Sequence, residues 1–151
     1  MTTLQSYAGR YQCIAMRRED GILEMRFHTD GGSFEWGLGP HRELESAFLD
    51  VARDRENEVI ILTGTGDDYC GRPVASGGHP NRNSMTPAIY DPIYWEGKHL
   101  LMNLLNIEVP VISAINGPAT RHAEIPLVVA QNSERPRKAG DFRATAIPSW
   151  A

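Results

Sequence analysis

A chain of 151 residues with a formal net charge of −4 fits one domain and carries no basic excess for nucleic acid or an anionic membrane surface. Its hydrophobic fraction of 41% and charged fraction of 23% are those of an ordinary globular protein, and no apolar run approaches membrane-spanning length. The N-terminus shows no basic segment followed by an apolar one, and the two cysteines, Cys13 and Cys70, make neither a disulfide framework nor a zinc pattern, so a cytoplasmic setting is expected.

Tyr11 to Arg17 and Ile22 to Thr29 read as a β-hairpin around the turn Glu19-Asp20-Gly21. Pro40 suits the first turn of a helix running to about Arg55, with Leu44, Ala47, Phe48 and Val51 at i, i+3, i+4 and i+7 on one face. Val59-Ile60-Ile61-Leu62 is wholly apolar, which predicts a strand buried on both faces, closed by Gly64-Thr65-Gly66. Asp67 to Pro87 is rich in Gly, Pro, Ser and Asn and reads as a long functional loop. A second helix is expected over Ile89 to Ile107, with Leu100, Leu101, Leu104 and Leu105 as its buried face. Val109 to Ile115 follows as an apolar strand, and Asn116-Gly117-Pro118 as a turn.

Strands alternating with helices in this order imply an α/β fold with right-handed crossovers. Ile125 to Ala130 reads as the start of a further helix. From Gln131 the chain turns polar and helix-hostile, so residues 1–130 read as the folded unit and 131–151 as a disordered tail.

The segments Val59-Ile60-Ile61-Leu62-Thr63-Gly64-Thr65-Gly66 and Val109-Pro110-Val111-Ile112-Ser113-Ala114-Ile115-Asn116-Gly117-Pro118-Ala119 resemble the crotonase (enoyl-CoA hydratase/isomerase) superfamily. There the first is a core strand leading to an oxyanion-hole loop, and the second leads to a Gly-rich loop. Within that superfamily the chain is similar to the β-diketone hydrolase branch, of the 6-oxocamphor hydrolase type. That likeness lies in Glu35-Trp36 with His41, Asp54-Arg55-Glu56-Asn57, Ile107-Glu108-Val109-Pro110 and Arg121-His122-Ala123-Glu124-Ile125-Pro126. The implied fold is the crotonase ββα spiral. The implied reaction is retro-Claisen cleavage of a carbon–carbon bond in a cyclic β-diketone, with neither coenzyme A nor another cofactor.

A thioester oxyanion needs two backbone N–H groups flanked by small residues. The first loop here reads Tyr69-Cys70-Gly71-Arg72-Pro73, where Pro73 removes a donor, and the second carries Arg121, His122 and Ala123 where the family has glycines. The resemblance therefore implies side-chain donors instead. Trp36 and His122 are expected to hold the substrate carbonyl, with His41 adding a donor or protonating the enolate. Glu124, Tyr69, Cys70 and Gly71 complete the expected substrate-binding set. Read without the resemblance, Trp36 is a buried structural tryptophan, His41 a histidine at a helix start, and His122 an exposed histidine beside a turn. Glu124 then caps a helix, and Cys70 is a small buried side chain rather than a nucleophile.

The family's water-activating His–Asp pair has no match after Pro126, and its later strands, C-terminal helices and trimer contacts have no counterpart either. The abrupt change near Val129 or Ala130 suits a frameshift or truncation. Strands Val59–Leu62 and Val111–Ile115 are then expected to leave apolar faces uncovered, making the chain unstable or aggregation-prone. Two other readings stand beside the hydrolase: an enoyl-CoA hydratase or isomerase acting on acyl-CoA, and a fragment without catalysis.

Overall fold

The computed structural model describes residues 2–70, 72–73, 86–119 and 132–134, with the backbone alone for 72–73 and 132–134. A short helix, α1 (Leu4–Tyr7), leads into the hairpin β1 (Ile14–Glu19) and β2 (Ile22–Phe27), whose strands pair antiparallel from Ile14 opposite Phe27 to Glu19 opposite Ile22. Asp20 and Gly21 make the turn with φ of 47° and 78°, the paired left-handed conformation that a two-residue hairpin demands. β1 begins three residues later than Tyr11 because Gln12 and Cys13 donate their N–H groups to the Glu43 carboxylate, at 2.8 and 2.9 Å, instead of to a strand.

Next come β3 (Glu35–Trp36), α2 (Leu38–Arg53), β4 (Val59–Gly64), β5 (Arg72–Pro73), α3 (Pro87–Leu105), β6 (Val111–Ala114) and β7 (Asn132–Glu134). The main sheet runs β1-β2-β4-β6-β7, with β2, β4, β6 and β7 parallel. The expected α/β fold with crossover helices is therefore present. β3 and β5 form a separate parallel pair in which Trp36 faces Pro73.

α2 buries Leu44, Ala47, Phe48 and Val51, the face read from the spacing, and adds His41 one turn earlier. In α3 the buried residues are Glu96, Leu100, Asn103 and Leu104. Leu105 is 58% exposed and Leu101 lies at an intermediate depth, so the expected Leu face is rotated toward polar residues that α2 receives. The Asn103 side chain donates to the Glu45 carbonyl of α2 at 2.9 Å. β4 departs from the expectation too: Ile60 and Leu62 are fully buried, while Val59 and Ile61, on the opposite pleat face, are half-buried.

Apolar exposure collects on α3, at Tyr90, Tyr94, Met102 and Leu105, rather than on the core strands, where it was expected. Asn132–Glu134, inside the stretch expected to be disordered, lies along the β6 edge in register with Ile112–Ala114. An open strand edge offers unpaired backbone groups, and a polar segment can satisfy them as well as an apolar one. The helix expected from Ile125 lies outside the described residues.

Two networks hold the core. Asp54, 3% exposed at the end of α2, accepts from the Tyr7 hydroxyl at 2.9 Å and from Arg18 Nη1 at 2.7 Å. Arg18 reaches the Asn57 side-chain oxygen at 3.1 Å as well, and also pairs with Glu56. The second is a row of aromatic contacts: Tyr69 against Phe27, Phe27 against Phe34, and Phe34 edge-on to Trp36, with centroids 6.2, 5.5 and 6.2 Å apart.

Candidate functional site

Trp36 ends β3, Gly37 caps the following helix, and the His41 N–H donates to the Gly37 carbonyl at 3.0 Å. That first turn sets the imidazole edge-on to the indole, with ring centroids 5.7 Å apart and planes at 89°. Both side chains are buried, at 6% and 8% exposure. They line a cavity of about 610 Å³ whose other walls are mostly apolar side chains of α3, among them Ile93, Tyr94, Leu100 and Leu101. A cavity of that size and lining suits a small, largely apolar organic molecule.

Behind His41 stands Glu96, on the buried face of α3. Its Oε2 lies 3.2 Å from His41 Nδ1, and its Oε1 accepts from Arg42 Nε at 2.9 Å. The next residue, Gly97, lines the cavity beside His41. A Cβ at Gly97 would stand 3.3 Å from His41 Nε2, so the missing side chain lets α3 pass close over the imidazole. Neither Glu96 nor Gly97 came out of the sequence reading. The available signal was a glutamate at i−4 from Leu100, a charge placed on the helix's apolar face.

The turn after β6 and the loop after β4 are zipped together. Asn116 Oδ1 accepts from the Gly64 N–H at 3.0 Å, while its Nδ2 donates to the carbonyls of Gly66 at 2.7 Å and Asp68 at 3.4 Å. Pro118 O accepts from the N–H groups of Tyr69 and Cys70 at 3.2 and 3.3 Å, and Cys70 bridges to Ala119. Gly117 is required there, because a Cβ would sit 1.8 Å from the Asp67 carbonyl oxygen.

Of the expected site residues, the fold therefore brings Trp36 and His41 together. Tyr69 and Cys70 are buried at the zipped loop, away from the lining of the cavity, with their N–H groups committed to Pro118. Burial pushes the Tyr69 phenol up to about 12 and, with Asp68 nearby, the Cys70 thiol up to about 12. Cys70 is thus a protonated thiol near neutral pH rather than a nucleophile. Gly71, His122 and Glu124 lie outside the described residues. His28 serves the turn after β2, its Nδ1 accepting from the Gly31 N–H at 3.3 Å, and His99 stacks on Trp95 at a centroid distance of 3.6 Å. No helix among the described residues is long and apolar enough to cross a membrane.

No protein-family profile matches the chain, and no curated protein does. Among solved structures it is similar to a β-diketone hydrolase of the cyanobacterium Anabaena sp. PCC 7120, solved with (S)-3-oxocyclohexyl acetic acid bound. Identity is 41% over 84% of this chain and 50% of that one, with a TM-score of 0.73. It also superposes on enoyl-CoA hydratases at low identity. One from Shewanella pealeana matches 88% of this chain and 50% of its own at 12% identity and a TM-score of 0.72. An enoyl-CoA hydratase/isomerase from Mycobacterium paratuberculosis matches 81% and 48% at 12% and 0.68. The chain spans about half the length of these relatives. Its fold is that of the crotonase superfamily, as its strand and turn segments implied.

Proposed function

We propose that this chain carries the carbonyl-recognition site of a β-diketone hydrolase, an enzyme that cleaves a carbon–carbon bond of a cyclic β-diketone by a retro-Claisen route. The observation that carries the reading is the buried Trp36–His41 pair at the wall of an apolar cavity of about 610 Å³. The 41% identity to a β-diketone hydrolase supports it. A cyclic diketone is compact and apolar except at its two carbonyl oxygens, so it needs a dry pocket with a few aimed polar groups. The indole N–H of Trp36, joined by His122, holds one carbonyl oxygen as negative charge develops on it. Glu124 and Gly71 belong to the same site in this reading.

The competing acyl-CoA reading requires free backbone donors in the first loop. Of that loop's groups, the Tyr69 and Cys70 N–H are committed to Pro118 and Pro73 has none to give. The deciding experiment is binding of a 2,2-disubstituted cyclohexane-1,3-dione, followed by calorimetry, on the wild-type chain and on W36F. Saturable binding that falls roughly tenfold or more in W36F is the expected result. Binding of crotonyl-CoA in preference to the diketone, or diketone binding that W36F leaves unchanged, refutes the reading.

A further inference from the structure

The cavity beside Trp36 and His41 differs at its two ends. Those rings are 6% and 8% exposed, whereas Tyr94, Met102 and Leu105 of α3 are 64%, 47% and 58% exposed and line its open side. Lys98 lines the cavity with them, an exposed residue one turn after Tyr94 and one turn before Met102. Among the described lining residues none is an aspartate or glutamate, and Lys98 is the one lysine or arginine. A lysine on a helix surface can pair with a carboxylate three or four positions away. Here those positions hold Tyr94, Trp95, Leu101 and Met102, and nearby Glu96 is engaged by His41 and Arg42.

Among the described residues, Arg10, Arg17, Arg18, Arg26, Arg42 and Arg55 each pair with a carboxylate, whereas Lys98 enters no ion pair or hydrogen bond through its side chain. A merely solvated lysine would cover apolar surface with its stem and leave its charge in water. Bordering an apolar cavity, the same charge holds an anion more strongly than it would in open water. The chain as a whole carries −4, so an anionic ligand is drawn by this local cation and not by the overall field.

We infer that Lys98 is a specificity-determining residue of this cavity, and that the ligand it selects carries a carboxylate as well as a ketone. This rests on the reading of the cavity as a diketone site. With the ketone oxygen at the Trp36 end, a carboxylate at the far end of the same molecule meets the Lys98 ammonium in a charge-assisted hydrogen bond. Such a ligand arises in two ways. Hydrolysis of a cyclic dione adds the oxygen of one water to a carbonyl carbon and breaks the bond from that carbon to the carbon between the carbonyls. The freed electron pair takes up a proton there, so a single molecule leaves with one ketone and one carboxylate, and nothing is oxidised or reduced. A dione can also bear an acid group of its own on the ring.

Calorimetry on the full chain with two matched pairs of probes tests this. One pair is the open-chain keto acid that 2,2-dimethylcyclohexane-1,3-dione gives on hydrolysis, and its primary amide. The other is the same ring with one methyl group replaced by carboxyethyl, and its primary amide. Acid and amide match in shape and differ in charge. In the wild type and in K98R the acid should bind about threefold or more tighter than the amide at low salt, and the preference should fade toward none at about 0.5 M salt. K98M should abolish the preference and K98E should reverse it; methionine, arginine and glutamate are helix formers as lysine is, and circular dichroism checks that each variant folds. A preference in the open-chain pair assigns Lys98 to the product, and one in the ring pair assigns it to the substrate. Equal binding of acid and amide in both pairs, or a preference that K98M leaves intact, overturns the inference, while the carbonyl-site reading stands on its own W36F result. Absence of dione binding sinks that reading instead, and the open-chain pair then decides the role of Lys98 alone. Failure of all four probes to bind overturns the inference as well.

Discussion

Replacing Asn116 with alanine removes a side chain that ties the turn after β6 to the loop after β4. Three hydrogen bonds go with it: one received from the Gly64 N–H at 3.0 Å, and two given to the carbonyls of Gly66 and Asp68 at 2.7 and 3.4 Å. Gly64 is buried, and a Cβ there would already stand 2.4 Å from the Asp68 carbonyl, so little room is left for water to replace the lost acceptor. An orphaned buried N–H costs about 1–3 kcal/mol, and the two carbonyls, of which that of Gly66 is exposed, add up to about 1 kcal/mol. The expected loss is about 1–4 kcal/mol, set against the roughly 5–15 kcal/mol that holds a domain folded. Urea unfolding followed by circular dichroism measures it. N116D supplies the second reading, since it keeps the acceptor but sets a carboxylate against two carbonyl oxygens. It should lose at least about 1 kcal/mol. A loss below about 0.5 kcal/mol in N116A would mean that Pro118, accepting from Tyr69 and Cys70, joins the loops without help.

G97A should leave stability within about 1 kcal/mol of wild type, because the gain in helix propensity offsets the tight contact. It should weaken dione binding several-fold by displacing His41, whose Nε2 would be 3.3 Å from the new methyl group. Calorimetry and urea unfolding on one preparation check both. D54A removes the acceptor that the Tyr7 hydroxyl and Arg18 Nη1 share and leaves Arg18 with Asn57 and Glu56, and unfolding measurements should record a loss of about 2–4 kcal/mol. Tyr69 binds its proton more tightly folded than unfolded, with its pKa raised from 10.0 to about 12. Its contribution to stability is therefore complete below pH 10 and is lost as pH rises toward 12, so alkaline unfolding should set in over that window, and Y69F should blunt it. The Cys70 thiol, pushed up to about 12, should resist iodoacetamide at about pH 8 until the chain is unfolded, as intact-mass measurement would show.

The amino-acid sequence by itself determined the hairpin, the two long helices, the strands β4 and β6, and much of the core. The apolar run from Val59, the spacing of Leu44, Ala47, Phe48 and Val51, and the Asp20-Gly21 turn each express a local rule, a strand period, a helix period and a left-handed turn, that needs no distant partner. Trp36 and His41 were joined in the sequence only by the resemblance, and a capped first turn five residues long brings them into contact. Tertiary structure decided what those elements face. Burial of Leu100 and Leu104 was legible, but only the packing of α3 on α2 turned Glu96 and Asn103 inward and left Leu105 exposed, because polar partners on α2 were there to meet them. The role of Asn116 was invisible for the same cause. It reads as a turn residue in the chain and acts as a clamp only where β4 and β6 lie side by side, 52 residues apart in sequence. The Trp36–His41 contact was a local matter, whereas the carboxylate behind His41, 55 residues away, was set by the crossing of two helices.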